Sequence, residues 1–137
     1  KRPSRFEAYA TMALCFQDQA RWADAEKSWQ KAIEGNNSVA EWHYRLGKIY
    51  ESHGNRAGAA PELEKTIELL ETRPGISAAW HIDAYFLYGE TMQATGQKEK
   101  ALKGYRRYMQ IAPINHAYRA DAERAIKTLD PAAARRP

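Results

Sequence analysis

The sequence predicts an all-α protein built from stacked pairs of short helices, and three observations predict it. Alanine, tyrosine and tryptophan are plentiful while valine occurs once, at Val39, a composition that favours helix over sheet. Apolar residues recur at helical spacing in segment after segment, and glycine, asparagine or proline separates the segments. Small residues recur in register. Ala13, Gly47 and Gly89 each stand twelve residues before Ala25, Ala59 and Ala101, and each alanine is followed four residues later by a large side chain, Trp29, Leu63 or Tyr105. The alanines are 34 and then 42 residues apart. Units of this length bury a core by stacking on their neighbours.

The first helix is expected from Arg5, because Ser4 and Glu7 have capping-box spacing. Phe6, Tyr9, Met12, Ala13 and Phe16 form its apolar stripe, and it should fray over 18–20. A second helix runs from about Trp22 to Glu34 with Ala25, Trp29, Ala32 and Ile33 on one face. Gly35, Asn36 and Asn37 end it through their tolerance of a left-handed cap. Ser38 and Glu41 repeat the capping box ahead of a third helix, which carries Trp42, Leu46, Gly47 and Tyr50 to about His53 and is stopped by Gly54. The fourth helix spans about Arg56 to Thr72 with Ala59, Leu63, Thr66, Ile67 and Leu70 inward. Pro61 lies deep in it if Asn55 is the cap, so a mild kink is expected.

Arg73-Pro74-Gly75 is the clearest break. Ser77 is read as the cap of a fifth helix to about Thr95, with Trp80, Tyr85, Tyr88, Gly89 and Met92 buried and Gly96 as the stop. A sixth helix covers about Lys98 to Ile111 and ends before Pro113. Asn115 is expected to cap a last helix, about His116 to Leu129, with Tyr118, Ala122, Ala125, Ile126 and Leu129 apolar. Asp130-Pro131 ends it, and AAARRP reads as a frayed tail.

With these residues in place, the chain resembles the tetratricopeptide repeat (TPR) family, whose unit is two antiparallel helices in about 34 residues. The family pattern is a large residue, Leu-Gly, Tyr, Ala, an aromatic and Pro. The second repeat supplies Trp42, Leu46-Gly47, Tyr50, Gly54, Ala59 and Leu63. The third supplies Tyr85, Tyr88-Gly89, Met92, Gly96, Ala101, Tyr105 and Pro113. The first is looser, with Tyr9, Met12-Ala13, Phe16, Ala25, Trp29 and Asn37 in the proline slot. Trp42 stands one place early, so His43 takes the usual large slot. The resemblance implies a right-handed helical solenoid of three helix pairs plus a C-terminal capping helix. As one domain over 1–137, it divides into repeats at about 6–37, 38–73 and 77–113, and a cap at about 115–130. The 42-residue interval adds eight residues between repeats two and three. The expectation is one extra turn at the end of the fourth helix and one at the start of the fifth, with Leu70, Ile76 and Trp80 packing there.

The start, KRPSRF, lacks Met and a signal-peptide core, so the chain reads as a piece of a longer protein. Pro3, 34 residues before Asn37, points to a further repeat upstream. No apolar run approaches the roughly 18 residues of a membrane span, and a cytoplasmic location is the expectation. Cys15, the single cysteine, excludes an internal disulfide and a cysteine-cluster zinc site, and is expected buried as a small hydrophobe. His43, His53, His81 and His116 have no i, i+4 pair, so no metal and no cofactor is expected. No glycine-rich phosphate loop occurs, and no residue is assigned a catalytic role.

The functional expectation is a non-catalytic protein-binding module of a larger scaffold or assembly factor. Composition and Pro61 resemble bacterial TPRs. In the family, the first helix of each repeat lines a concave groove. The resemblance places Glu7, Ala10, Leu14, Gln17, Tyr44, Arg45, Lys48, Glu51, Asp83, Phe86, Glu90 and Gln93 there. Leu14, Tyr44, Arg45, Lys48, Asp83, Phe86 and Glu90 are the candidate partner-binding residues for a peptide or helix. Tyr44 and Phe86 stand outside the packing slots, and the plain alternative is that they pack on adjacent helices. The carboxylate clamp of chaperone-binding TPRs (Lys, Asn, Asn, Lys, Arg) maps onto Ala10, Leu14, Arg45, Asp83 and Leu87. None matches, so such binding is not expected.

Two further readings stand beside this one. Lys98, Lys100, Lys103, Arg106 and Arg107, continued by Arg119, Arg124 and Lys127, read as a solvated face or as a contact for an anionic surface. Nucleic acid is disfavoured, because the mild charge of +4 has no exposed aromatics interleaved with it. A homo-oligomer could form through the extension near Trp80 or the edge at Phe6 and Tyr9.

Overall fold

A computed structural model describes residues 4–73 and 75–135. Pro3 and the Arg136–Pro137 end of the tail lie outside the described residues, as does Pro74 of the central break. The described chain contains seven α-helices: α1 (Arg5–Asp18), α2 (Trp22–Gly35), α3 (Ala40–Ser52), α4 (Arg56–Glu71), α5 (Ala79–Ala94), α6 (Lys98–Ile111) and α7 (Arg119–Leu129). A 3-10 helix follows at Pro131–Arg135, packed on α7, where the sequence suggested a frayed tail. No strand occurs among the described residues. The chain divides into two compact units that meet between Thr72 and Arg73.

In the first unit α1 pairs with α2 and α3 with α4, and α2 also packs on α3. Ala13 and Ala25 are fully buried and allow α1 and α2 to approach. Trp29 fills the space between, with Ala10, Ala32, Leu46 and Ile49 completing the cluster. Gly47 repeats the role of Ala13 on α3: an added Cβ would stand 3.0 Å from the Leu63 side chain. Burying a residue such as Leu63 or Trp29 contributes about 2–3 kcal/mol. In the second unit α5 pairs with α6, and α6 packs on α7. Gly89 faces the Tyr105 ring, and Gly104 brings the α6 backbone to the α5 backbone, where an added Cβ would lie 3.0 Å from the Gly89 nitrogen.

The turn inside each pair is built the same way three times. Ala20, Gly54 and Gly96 take φ of 57°, 78° and 77°. The following amide donates back to the last turn of the first helix: Arg21 N to Phe16 O, Asn55 N to Tyr50 O and Gln97 N to Met92 O, each 2.8 Å. This is the Schellman arrangement, in which a left-handed residue closes the helix. Gly serves it without strain; Ala20 does not.

Several sequence expectations need correction at the helix ends. The Ser4–Glu7 capping box forms, with Glu7 N donating to Ser4 Oγ at 3.1 Å. Ser38 does not cap α3. Its own amide donates to Asn36 Oδ1, and the chain enters the helix at Val39 without a side-chain cap. Ser77 and Asn115 do not cap either: α5 begins after Ala78 and α7 after Tyr118. Gly35, Asn36 and Asn37 do not adopt positive φ. Gly35 is instead needed because the Phe6 ring lies against it, where a Cβ would fall within 2.0 Å of Phe6 Cδ1.

Asn55 does cap α4, accepting from Gly58 N at 2.9 Å, and α4 runs on through Pro61. The eight extra residues are shared out differently from one turn per helix. α4 ends two residues further beyond its alanine than α2 does. α5 begins three residues further ahead of its glycine than α3 does, and the 72–78 connection takes the remaining three. Trp80 is half-buried and Ile76 is exposed.

Candidate functional site

The face of interest is formed by residues that the helix-pair packing leaves over. On α1 and α3 these are the groove positions, and the structure divides them sharply. Ala10 is buried, and Gln17 turns inward to accept a 2.5 Å hydrogen bond from Trp29 Nε1. Glu7 is held by the Ser4 cap. Leu14 remains 40% exposed, a large apolar side chain with no place in the core. On α3, Tyr44 is only 4% exposed. It therefore packs, rather than standing out as an anchor as its position outside the packing slots suggested. Lys48 is exposed and holds its ammonium 5.9 Å from the Tyr44 ring centroid. Arg45 is half-exposed and donates from Nε to Glu41 at 2.8 Å, an i, i+4 pair. Glu51 pairs with Arg56 at 3.3 Å.

On α5 the pattern recurs. Phe86 is 6% exposed, the centre of an aromatic cluster rather than a projecting side chain. Tyr118 stacks on it at 4.6 Å with planes 13° apart, and Tyr108 and Tyr105 lie at 5.3 Å and 5.8 Å. Asp83 is partly exposed and faces His116 Nε2 at 3.5 Å, while His116 Nδ1 meets the Tyr108 hydroxyl at 2.6 Å. Glu90 is exposed. Gln93 accepts from the Tyr105 hydroxyl at 2.7 Å, as Gln17 does from Trp29. Burial pushes the Tyr105 phenol well above its ordinary range, and Glu90 and Asp121 add to the shift. Burial likewise raises Tyr50 and Tyr108.

The candidate residues thus separate into two classes. Tyr44 and Phe86 are packing residues, while Leu14, Arg45 and Lys48 in the first unit and Asp83 and Glu90 in the second present side chains to solvent. Cys15, expected buried, is exposed, and so is Met12 at 45%.

The basic run on α6 and α7 is largely engaged within the molecule. Arg106 pairs with Asp130 at 2.6 Å, Arg124 with Asp121, and Lys127 with Glu123 at 3.6 Å. Arg119 donates to the carbonyls of Met109 and Ala112, closing the C-terminal end of α6. Arg107 lies 5.9 Å from the Tyr85 ring centroid. His43, in the large slot of its repeat, is buried. Its Nε2–H donates to the Asn37 carbonyl and its Nδ1 meets a Glu62 carboxylate oxygen, both at 2.9 Å. Through these two contacts the ring ties the α2–α3 connection to α4. No group of three or more His, Cys, Asp or Glu side chains suited to a metal occurs among the described residues. None of their helices is long and apolar enough to cross a membrane.

The sequence has no significant match among curated proteins. A family model for the tetratricopeptide repeat matches residues 83–113. Among solved structures, that of MamA protein superposes with a TM-score of 0.71 at 21% identity. The match covers 95% of this chain and 64% of that one, so the chain spans a little under two thirds of that relative. The first TPR of Spaghetti (RPAP3), solved with an HSP90 peptide, gives 0.70 at 16% identity and covers 95% of this chain and 94% of that one. The Yersinia enterocolitica type III secretion chaperone SycD, solved with a peptide of the translocator YopD, gives 0.70 at 11%, with coverage of 96% and 97%. At these identities the likeness is one of fold. The fold is that of the tetratricopeptide repeat structures it superposes on, and one repeat of that family is matched at residues 83–113.

Proposed function

We propose that the chain is a non-catalytic protein-interaction module that holds a peptide or helix of a partner protein against the first helices of its pairs. One observation carries the reading. The packing slots repeat with small variation, Ala13, Gly47 and Gly89 against Ala25, Ala59 and Ala101, whereas the equivalent solvent-facing slot changes from Leu14 to Lys48 to Glu90. A recognition surface needs different chemistry at successive slots, and this slot supplies an apolar, a basic and an acidic side chain in turn. RPAP3 and SycD, of the same fold, were solved with peptides of other proteins. The fold alone grants no catalytic role. The module is read as part of a larger, bacterial and cytoplasmic scaffold or assembly factor.

The burial of Tyr44 and Phe86 changes how this is tested. Their truncation would open cavities, so loss of binding would be ambiguous. Leu14→Asp, Lys48→Glu and Glu90→Lys are the informative substitutions. Once the partner has been identified by affinity purification, each should weaken binding at least about tenfold, about 1.4 kcal/mol, by calorimetry, with the helical melt unchanged. Wild-type affinity in all three would end the groove reading.

A second reading rests on charge. Up to Thr72 the chain carries ten basic and eleven acidic residues; from Arg73 on it carries eleven and six. An anionic surface would be held through α6 and α7. In that case Arg106→Glu with Arg107→Glu would abolish binding and affinity would fall steeply with salt.

A further inference from the structure

Two glutamines at groove positions stand in the same relation to the core. Gln17 lies twelve residues before Trp29 and Gln93 twelve residues before Tyr105, at one slot of the first and third repeats. Trp29 Nε1–H donates to Gln17 Oε1 at 2.5 Å, and the Tyr105 hydroxyl donates to Gln93 Oε1 at 2.7 Å. An indole nitrogen only donates, so the Gln17 oxygen faces inward and its Nε2 faces away. The tyrosine bond turns Gln93 the same way. Among the described residues neither Nε2 makes a hydrogen bond, and no polar side-chain atom is buried without a partner. Both glutamines are half-buried, so each presents two N–H donors to solvent on an amide fixed from behind. The middle repeat has Leu63 in place of the aromatic, with nothing to donate. There the slot is Glu51, an acceptor paired with Arg56. Glu51 stays partly exposed although α2 packs on α3, so this slot is one that stacking leaves open.

We propose that Gln17 and Gln93 donate from Nε2 to main-chain carbonyl oxygens of a partner segment bound in extended form, an inference that rests on the groove reading and narrows its occupant. A helix uses its carbonyls in its own i, i+4 ladder, so along its length it has no main-chain acceptor to give an anchored amide. An extended segment carries an unpaired carbonyl at every residue. An amide already held by Trp29 or Tyr105 loses little rotamer freedom when it binds, which favours its use as a recognition group. Contacts of this kind read the backbone, while Leu14, Lys48 and Glu90 at the neighbouring slot read side chains.

The test uses the full chain and, as probe, a short peptide selected against it from a random-sequence display library and labelled for anisotropy. Gln17→Glu and Gln93→Glu are the variants. Glutamate keeps the oxygen that Trp29 and Tyr105 need and replaces the donor with an acceptor, and Glu51 already occupies this slot in the middle repeat. Both variants should melt as the parent does, and each should weaken the peptide at least about tenfold. Replacing single peptide amides by esters weakens the carbonyl as an acceptor. It should lower affinity at one peptide position for each glutamine, and that loss should vanish in the matching variant. Transferred nuclear Overhauser effects should show the bound peptide extended. Affinity unchanged in both glutamate variants but lost in Leu14→Asp or Lys48→Glu would overturn this inference and leave the groove reading standing. Affinity unchanged in all four would end both, and a peptide bound as a helix would overturn the inference alone.

Discussion

At the scale of single residues, two positions govern backbone geometry beyond what their side chains suggest. Ala20 holds φ of 57° in a turn whose counterparts are Gly54 and Gly96. A Cβ in that region costs about 1 kcal/mol. Ala20→Gly should therefore stabilise the chain by about that amount in a urea titration, with an unchanged slope. Gly104 is the opposite case, since a methyl group there meets the Gly89 backbone at 3.0–3.1 Å. Overpacking of this kind costs about 1–3 kcal/mol. Gly104→Ala should lower the midpoint accordingly, while Gly58→Ala, whose near neighbour is only the Asn55 side chain, should cost less.

At the scale of helices and pairs, most of the architecture was legible in the sequence because each slot demands a residue type. A close crossing needs Ala or Gly, the turn needs a residue tolerant of positive φ, and the wedge beside it needs a large side chain. Less legible were features that depend on the path of the chain between helices. Ser38, Ser77 and Asn115 have the right chemistry for caps, but the loops enter the helices after them, at Val39, Ala78 and Tyr118. In the last case His116 and Tyr118 are already committed to Tyr108 and Phe86, which holds 114–118 out of the helix. The positive φ of Ala20 has no sign in the sequence, because alanine is not a turn signal. For Tyr44 and Phe86 the plain alternative holds and they pack, because burial in a repeat depends on neighbours, which periodicity does not report. Cys15 and Met12 are exposed, whereas the same slots on α3, Ile49 and Leu46, are buried against α2, a difference that periodicity does not report.

The α5–α6 pair also carries a pH signature. Tyr105 and Tyr108 have phenols raised above the ordinary value of about 10, as does Tyr50 in the first unit. A raised folded-state pKa means that the folded chain keeps protons that the unfolded chain releases above about pH 10. Stability is thus fully present below that pH and is lost as pH rises beyond it. The denaturation midpoint should fall as pH climbs above about 10, and Tyr105→Phe should flatten that fall. A midpoint rising with alkalinity would contradict the burial of these phenols.

At the scale of the whole molecule, the side chains left over from packing decide what the chain can recognise. The basic excess from Arg73 on is partly consumed by Asp130, Asp121, Glu123 and the α6 carbonyls, so net charge overstates what an acidic partner would meet. Leu14, Lys48 and Glu90 are not needed by the core, yet they stand at equivalent positions on three successive first helices. An HSP90-type carboxylate peptide should not bind at micromolar concentration, because Ala10, Leu14, Arg45, Asp83 and Leu87 do not supply a clamp for its terminus. The most direct test of recognition through the first-helix face is the affinity of the identified partner for the Leu14→Asp, Lys48→Glu double variant. The account predicts a loss of about a hundredfold, from two separate roughly tenfold effects, with the thermal melt and low-salt behaviour of the free chain unchanged. Unaltered affinity in a folded double variant, with binding lost instead on reversal of Arg106 and Arg107, would contradict it.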